Sequence, residues 1–240
     1  MTDQNANHTT KAYDRDLEAL GRKIAEMGGI AEKMLSDSID ALVNLDAKLG
    51  AATAAVDPRL DLLQREIEEA AILTIARRQP MAVDLREIVG AIRVSGDLER
   101  VGDLAKNIAR RAVKLAEEPR LLRSMLGLRH MGELAALHLK EVLDAYAERD
   151  TVKAGEVWNR DKELDALEDS VFRELLTFMM EDPRNITFCT HLLFCAKNIE
   201  RVGDHATNIA ETVHYVVTGD SLPLDRPKGH DSALATGADK

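Results

Sequence analysis

Read at about 100° per residue, the stretch around residue 104 sorts its side chains cleanly. Leu98, Val101, Leu104, Ala105, Ile108 and Ala112 share one broad apolar stripe, and polar residues take the opposite side. The same spacing runs through most of the chain, and Gly and Pro rarely interrupt it. It predicts an all-α protein of six long helices, at 13–46, 48–78, 81–117, 120–148, 151–180 and 184–217. Short connections make successive helices antiparallel neighbours. The polar segment 1–12 and the aperiodic stretch 219–240 are expected to be disordered. The longest apolar runs, such as 70–76, are far too short to cross a bilayer, so no membrane insertion is expected.

The pattern also repeats on a larger scale. Asp97-Leu-Glu-Arg-Val-Gly-Asp-Leu-Ala-Lys-Asn-Ile-Ala109 recurs as Asn198-Ile-Glu-Arg-Val-Gly-Asp-His-Ala-Thr-Asn-Ile-Ala210. Upstream, Asp57-Pro-Arg-Leu-Asp-Leu-Leu63 aligns with Asp161-Lys-Glu-Leu-Asp-Ala-Leu167. The spacing between the two blocks is slightly shorter in the second copy, and the difference falls at Gln79-Pro80 and Asp182-Pro183, where turns belong. The six helices therefore divide into two tandem, pseudo-symmetric three-helix bundles, 13–118 and 119–218, meeting at Glu118-Pro119.

Composition narrows the function. A net charge of −10 argues against a nucleic-acid binder, which needs a basic face for phosphates. It suits a cytoplasmic protein, as does a start with no basic segment leading into an apolar run. Cys189 and Cys195, six positions apart on one helix, point to different sides and are expected to be packed free thiols.

The chemistry lies in acidic pairs. Glu99 and Asp103 stand four apart, opposite the apolar stripe, and Glu200 and Asp204 repeat them. Asp57 with Asp61, and Asp161 with Asp165, have the same spacing on the preceding helix. Like charges at that spacing repel by a few tenths of a kcal/mol, and Arg100 and Arg201 are not placed to neutralise the preceding Glu across a turn. Side-by-side helices would gather four carboxylates in each copy on a wet face. Hard cations prefer such oxygen ligands, so these eight residues are the candidate metal ligands, with iron, zinc, manganese and magnesium all open. Asn107 and Asn208 offer further amide oxygens. Asp57 has a second reading as a helix cap or kink before Pro58, which makes Asp161, followed by Lys162, the cleaner candidate. Gly102 and Gly203 cost helix stability, and their lack of a side chain suits close approach of a neighbour.

Enzyme signatures are lacking. A di-iron oxidase wants two inward E-x-x-H motifs, and only Glu211-Thr-Val-His214 fits. No phosphate-cradling G-x-x-x-x-G-K-S/T loop is present. Gly28-Gly29 lies within a helical pattern and reads as a kink. A carboxylate-metal enzyme and a metal-free helical adaptor stand as the alternatives to a regulator.

The doubled Glu-Arg-Val-Gly-Asp motif with its following Asn-Ile, together with Arg77-Arg-Gln-Pro-Met-Ala-Val-Asp-Leu85, resembles the PhoU family over about 13–218. That resemblance implies six helices in two pseudo-symmetric bundles, homodimers, and surface metal clusters held by the eight carboxylates named above, with Pro58 a departure beside Asp57. It further implies negative control of the phosphate-starvation response. The partners it implies are the ATPase subunit of the phosphate ABC transporter and a sensor histidine kinase.

Overall fold

The duplication shows most plainly at one corner of each copy. In a computed structural model, which describes residues 3–117 and 124–222, helix α1 (Asp3–Asn44) ends at Leu45 and helix α5 (Ser124–Glu148) ends at Arg149. Both terminal residues are left-handed, with φ of 53° and 56°. An aspartate follows each and caps the next helix. Asp46 accepts from the N–H groups of Lys48 and Leu49, both at 2.9 Å; Asp150 accepts from those of Val152 and Lys153, at 2.9 and 3.1 Å. Each satisfies two of the donors a helix start leaves open. Asp46→Ala and Asp150→Ala are each expected to lower stability by about 1 kcal/mol in urea unfolding.

The remaining helices are α2 (Ala47–Ala54), α3 (Asp57–Arg78), α4 (Val83–Leu115), α6 (Thr151–Glu181) and α7 (Ile186–Thr218). Six of the seven are long, α2 alone being short, and there is no strand among the described residues. In the first copy α1, α3 and α4 pack on one another, and α2 covers α1 and α4; in the second α5, α6 and α7 do the same. Across the copies α1 meets α5 and α4 meets α7, so equivalent helices face each other about a pseudo-twofold axis. One continuous apolar core, including Met27, Leu98, Leu128 and Ile199, runs through both bundles.

Two expectations change. The second helix is not continuous over 48–78: it breaks between α2 and α3 at Ala55 and Val56. Pro58 lacks an N–H and its ring crowds the carbonyl four residues back, whereas Lys162 lets α6 run unbroken. Helix α1 begins at Asp3 rather than at Tyr13; no Gly or Pro between Thr2 and Tyr13 stops its propagation. It also runs on through Gly28-Gly29 as one helix, and Gly28 serves close packing. A Cβ at Gly28 would lie 2.9 Å from Leu143 Cδ1, and one at Gly132 only 2.6 Å from Ile39 Cγ1. These are the same contact seen from the two sides of the axis. The expected boundary at Glu118-Pro119, the first residues of the fourth expected helix, and the tail from 223 onward lie outside the described residues.

Candidate functional site

Asp57 is the first residue of α3 and makes no capping hydrogen bond there. Its carboxylate is buried and turns toward α4. Lys106, one turn beyond Asp103, reaches back and donates to Asp57 Oδ2 at 2.7 Å and to Asp103 Oδ1. Its ammonium thus stands between the two acidic helices, where a cation was expected. Burial works against this charge, yet the hydrogen bonds to Asp103 and Asp57 together outweigh it and raise the Lys106 pKa. Arg100 adds an exposed contact, 3.5 Å from Glu99 and 3.8 Å from Asp103, a neutralisation its sequence position did not suggest.

The second copy has the same frame and a different filling. Its residue equivalent to Lys106 is Thr207, whose hydroxyl donates to Asp161 Oδ1 at 3.2 Å and to the Gly203 carbonyl at 2.9 Å. A neutral hydroxyl thus takes the place of an ammonium. Lys197 approaches from the N-terminal side instead and pairs with Glu200 Oε1 at 2.9 Å. Glu200 Oε2 is buried with no hydrogen-bond partner. Burial chiefly raises the Glu200 pKa, Lys197 opposes the rise, and Asp204 and Asp165 add to it. In the first copy burial likewise raises Glu99, reinforced by Asp103.

The glycines bring the acidic helices together. A Cβ at Gly102 would collide with the buried Leu60 side chain of α3, and one at Gly203 would lie 2.6 Å from Leu164 Cδ2 of α6 and 3.5 Å from Asp161 Oδ1. The carboxylates therefore do not sit on a wet outer face. Asp57 and Asp161 are buried, while Asp61, Glu99, Asp103, Asp165, Glu200 and Asp204 are half-buried in the grooves between α3 and α4 and between α6 and α7. Helical phase puts Glu99 and Asp103 opposite the apolar stripe, but α4 also packs on α3, which covers that side. Glu99 feels the charges of Asp103, Asp61 and Asp57, and Glu200 those of Asp204 and Asp165. They do not close up: among the described residues no three His, Cys, Asp or Glu side chains stand near enough to hold one ion.

Asn208 takes another role from the one expected. Its amide donates to Asp97 Oδ1 at 3.2 Å, and His205 Nδ1 lies 2.9 Å from the same oxygen, so α7 is tied to α4 across the copies. Asn107 is exposed. The motif alignment shows His205 against Leu104 but does not disclose Asp97 as its partner, because Asp97 belongs to the other copy.

The raised Glu200 pKa has a definite sign. A carboxyl whose folded pKa exceeds its ordinary 4.5 contributes most below that value and loses the contribution as pH rises through the folded pKa. At neutral pH the ionised group is a cost. Glu200→Gln, without added metal, is expected to gain about 1 kcal/mol at neutral pH and nothing in acid below the ordinary carboxyl range. Urea titrations at the two pH values check this.

The PhoU domain family matches residues 24–112 and again 128–213, once in each copy. The chain is 57% identical over 221 residues to the phosphate-specific transport system accessory protein PhoU homolog of Rhizobium meliloti, covering 92% of this chain and 93% of that one. The homolog of the same description from Caulobacter vibrioides is 51% identical, covering 92% and 96%. The crystal structure of PhoU from Pseudomonas aeruginosa superposes with a TM-score of 0.84 at 38% identity, over 87% of this chain and all of that one. That of the phosphate transport system regulatory protein PhoU from Streptococcus pneumoniae gives 0.82 at 26%, over 88% and 100%.

Proposed function

The chain belongs to the PhoU family, and from that premise we propose that it regulates phosphate uptake as an accessory protein, by docking to partners instead of by catalysis. The curated relatives carry an accessory role in phosphate-specific transport in their names. No helix among the described residues is long and apolar enough to cross a membrane. The partners of this reading are the ATPase subunit of the phosphate ABC transporter and a sensor histidine kinase, with the chain acting as a homodimer and as a negative modulator of phosphate-starvation signalling.

The observation that carries the mechanism is the unequal filling of two matched acidic grooves. Lys106 pairs with two of the four carboxylates of the first from within the chain. The second has Thr207 in that place and leaves Glu200 Oε2 buried without a partner. An all-oxygen donor set suits a hard divalent cation. Asp161, Asp165, Glu200 and Asp204 would hold it only after drawing together, since no three of them stand near enough to share an ion as they lie; Asp57, Asp61, Glu99 and Asp103 would in addition need Lys106 to give way. Such an ion would supply positive charge between α6 and α7, and these four side chains would then fix the surface the two helices present. Partner affinity then follows metal loading by linkage.

The test is the pair Glu200→Ala with Asp204→Ala. Elemental analysis and calorimetric titration with manganese or magnesium are expected to show loss of the ion. Binding of the purified ATPase subunit or kinase is expected to weaken by about tenfold or more, a coupling of roughly 1.4 kcal/mol. A folded double variant that binds its partners unchanged would rule the mechanism out. Metal-dependent hydrolytic or oxidase turnover by the wild type would favour the carboxylate-metal enzyme instead.

A further inference from the structure

Away from both grooves, α1, α4, α5 and α7 enclose a half-open cavity of about 680 Å³. That volume is in the range of small-molecule sites. Its walls are apolar, with Ile24, Leu143 and Val213 among them, and its rim carries the carboxylates of Glu18, Glu32, Glu87 and Asp144 against one guanidinium, that of Arg149. Three of the four acids have cations of their own: Glu18 with Arg22, Asp144 with Lys140, and Glu87 with Arg149 at 2.5 Å. Glu32 makes no hydrogen bond or close ion pair among the described residues and stands half-buried in the wall, with Lys140, which pairs with Asp144, acting on its charge only from a distance. Burial raises the pKa of both Glu32 and Glu87.

The duplication provides an internal control on whether this hollow is a by-product of the fold. The pseudo-twofold axis carries it onto the opposite end of the same four helices. Counting from the paired Gly28 and Gly132, Gly21 corresponds to Met125 and Glu32 to Ala136. Counting from the paired Glu99 and Glu200, Ala91 corresponds to Leu192 and Glu87 to Phe188. Met125, Leu192 and Phe188 are buried. One backbone arrangement is thus filled with apolar bulk at one end. At the other it is emptied by Gly21 and Ala91 and given two carboxylates that the filled end lacks. Side chains on Gly21 and Gly29 would meet nothing within 4 Å, so the space is open to larger residues. A charged wall in an apolar hollow costs stability, and a ligand offsets that cost.

We propose that this cavity binds a small amphipathic cation, an apolar body bearing an ammonium or amidinium group, with Glu32 as its counter-ion. Charge complementarity selects the sign, and the apolar walls select the body. The experiment uses the full chain and a matched set of naphthylmethylamine, naphthylmethanol and naphthoate, titrated by calorimetry. Wild type is expected to bind the amine saturably and about tenfold tighter than the alcohol, with naphthoate weakest. Glu32→Ala, which installs the residue found at the equivalent position, is expected to abolish the preference for the amine while leaving alcohol binding in place. Gly21→Met with Ala91→Leu, which installs the filled end's residues, is expected to abolish binding of all three. The proposal is overturned if wild type shows no saturable amine binding, if it binds naphthoate as well as the amine, or if binding persists in the filled variant. Should the filled variant not fold, the Glu32→Ala comparison decides alone, since an unchanged amine preference there also overturns it.

Discussion

Lys106→Met is expected to lower the stability of the protein by about 3 kcal/mol, because it strands Asp57 in a buried position without its cation. Breaking a buried ion pair from one side costs about 3–5 kcal/mol; the partial exposure of Asp103 places this case at the lower end. Adding Asp57→Asn should recover most of the loss, since the buried charge then disappears with its partner. The effect carries a pH signature. A raised lysine pKa contributes stability that is complete below the ordinary 10.5 and is lost as pH rises through the folded value. Wild type and variant should therefore converge in strong alkali and differ fully at neutral pH. Lys106→Thr, which copies Thr207, adds a second readout: manganese or magnesium should stabilise it more than wild type. Urea unfolding with and without the ion gives both results. If Lys106→Met unfolds at the wild-type midpoint, the ammonium does not hold the first groove together.

Gly132→Leu is expected to cost about 3 kcal/mol, at the upper end for overpacking a core. A Cβ there would lie 2.6 Å from Ile39 Cγ1 and 2.8 Å from both Cδ1 and Cγ2, so no single rotation of Ile39 clears it. Ile39 is β-branched, buried and stiff at χ1. Ile39→Ala in the same chain should restore much of the stability by exchanging bulk across the contact, a coupling read from a double-mutant cycle. The equivalent Gly28→Leu should cost less, because the nearest atom is the end of a half-buried, γ-branched Leu143. Equal costs at the two glycines would show that this contact does not set how closely the two copies approach.

The duplication and the six helices were legible because helical phase and in-register recurrence are local properties. The break before α3 was written in Pro58 but was read as a cap or kink inside one helix, and only the contrast with Lys162 shows its effect. The burial of Asp57 and Asp161 was not legible, since phase locates one apolar stripe and does not reveal how many neighbours a helix has. Lys106 and Thr207 stood opposite each other in the aligned motifs. The matching positions identified the family, while this mismatched one distinguishes the two grooves. The cavity needed tertiary structure, because Gly21 opens it only once α1 is known to lie beside α4, α5 and α7. Asp97 could not be joined to His205 and Asn208 from sequence, as the link crosses between the copies.

Cys189 and Cys195 are both wholly buried on α7, and burial pushes the Cys195 thiol up to about 12. Thiolate is the reactive form, so a folded molecule should be inert to alkylating reagents and to peroxide. Labelling of these two sulfurs then clocks opening events of the last helix, with no dye or tag to be introduced. Because α7 carries half of the second acidic groove, the metal-bridged reading of that groove predicts that added manganese slows the accumulation of iodoacetamide on the chain.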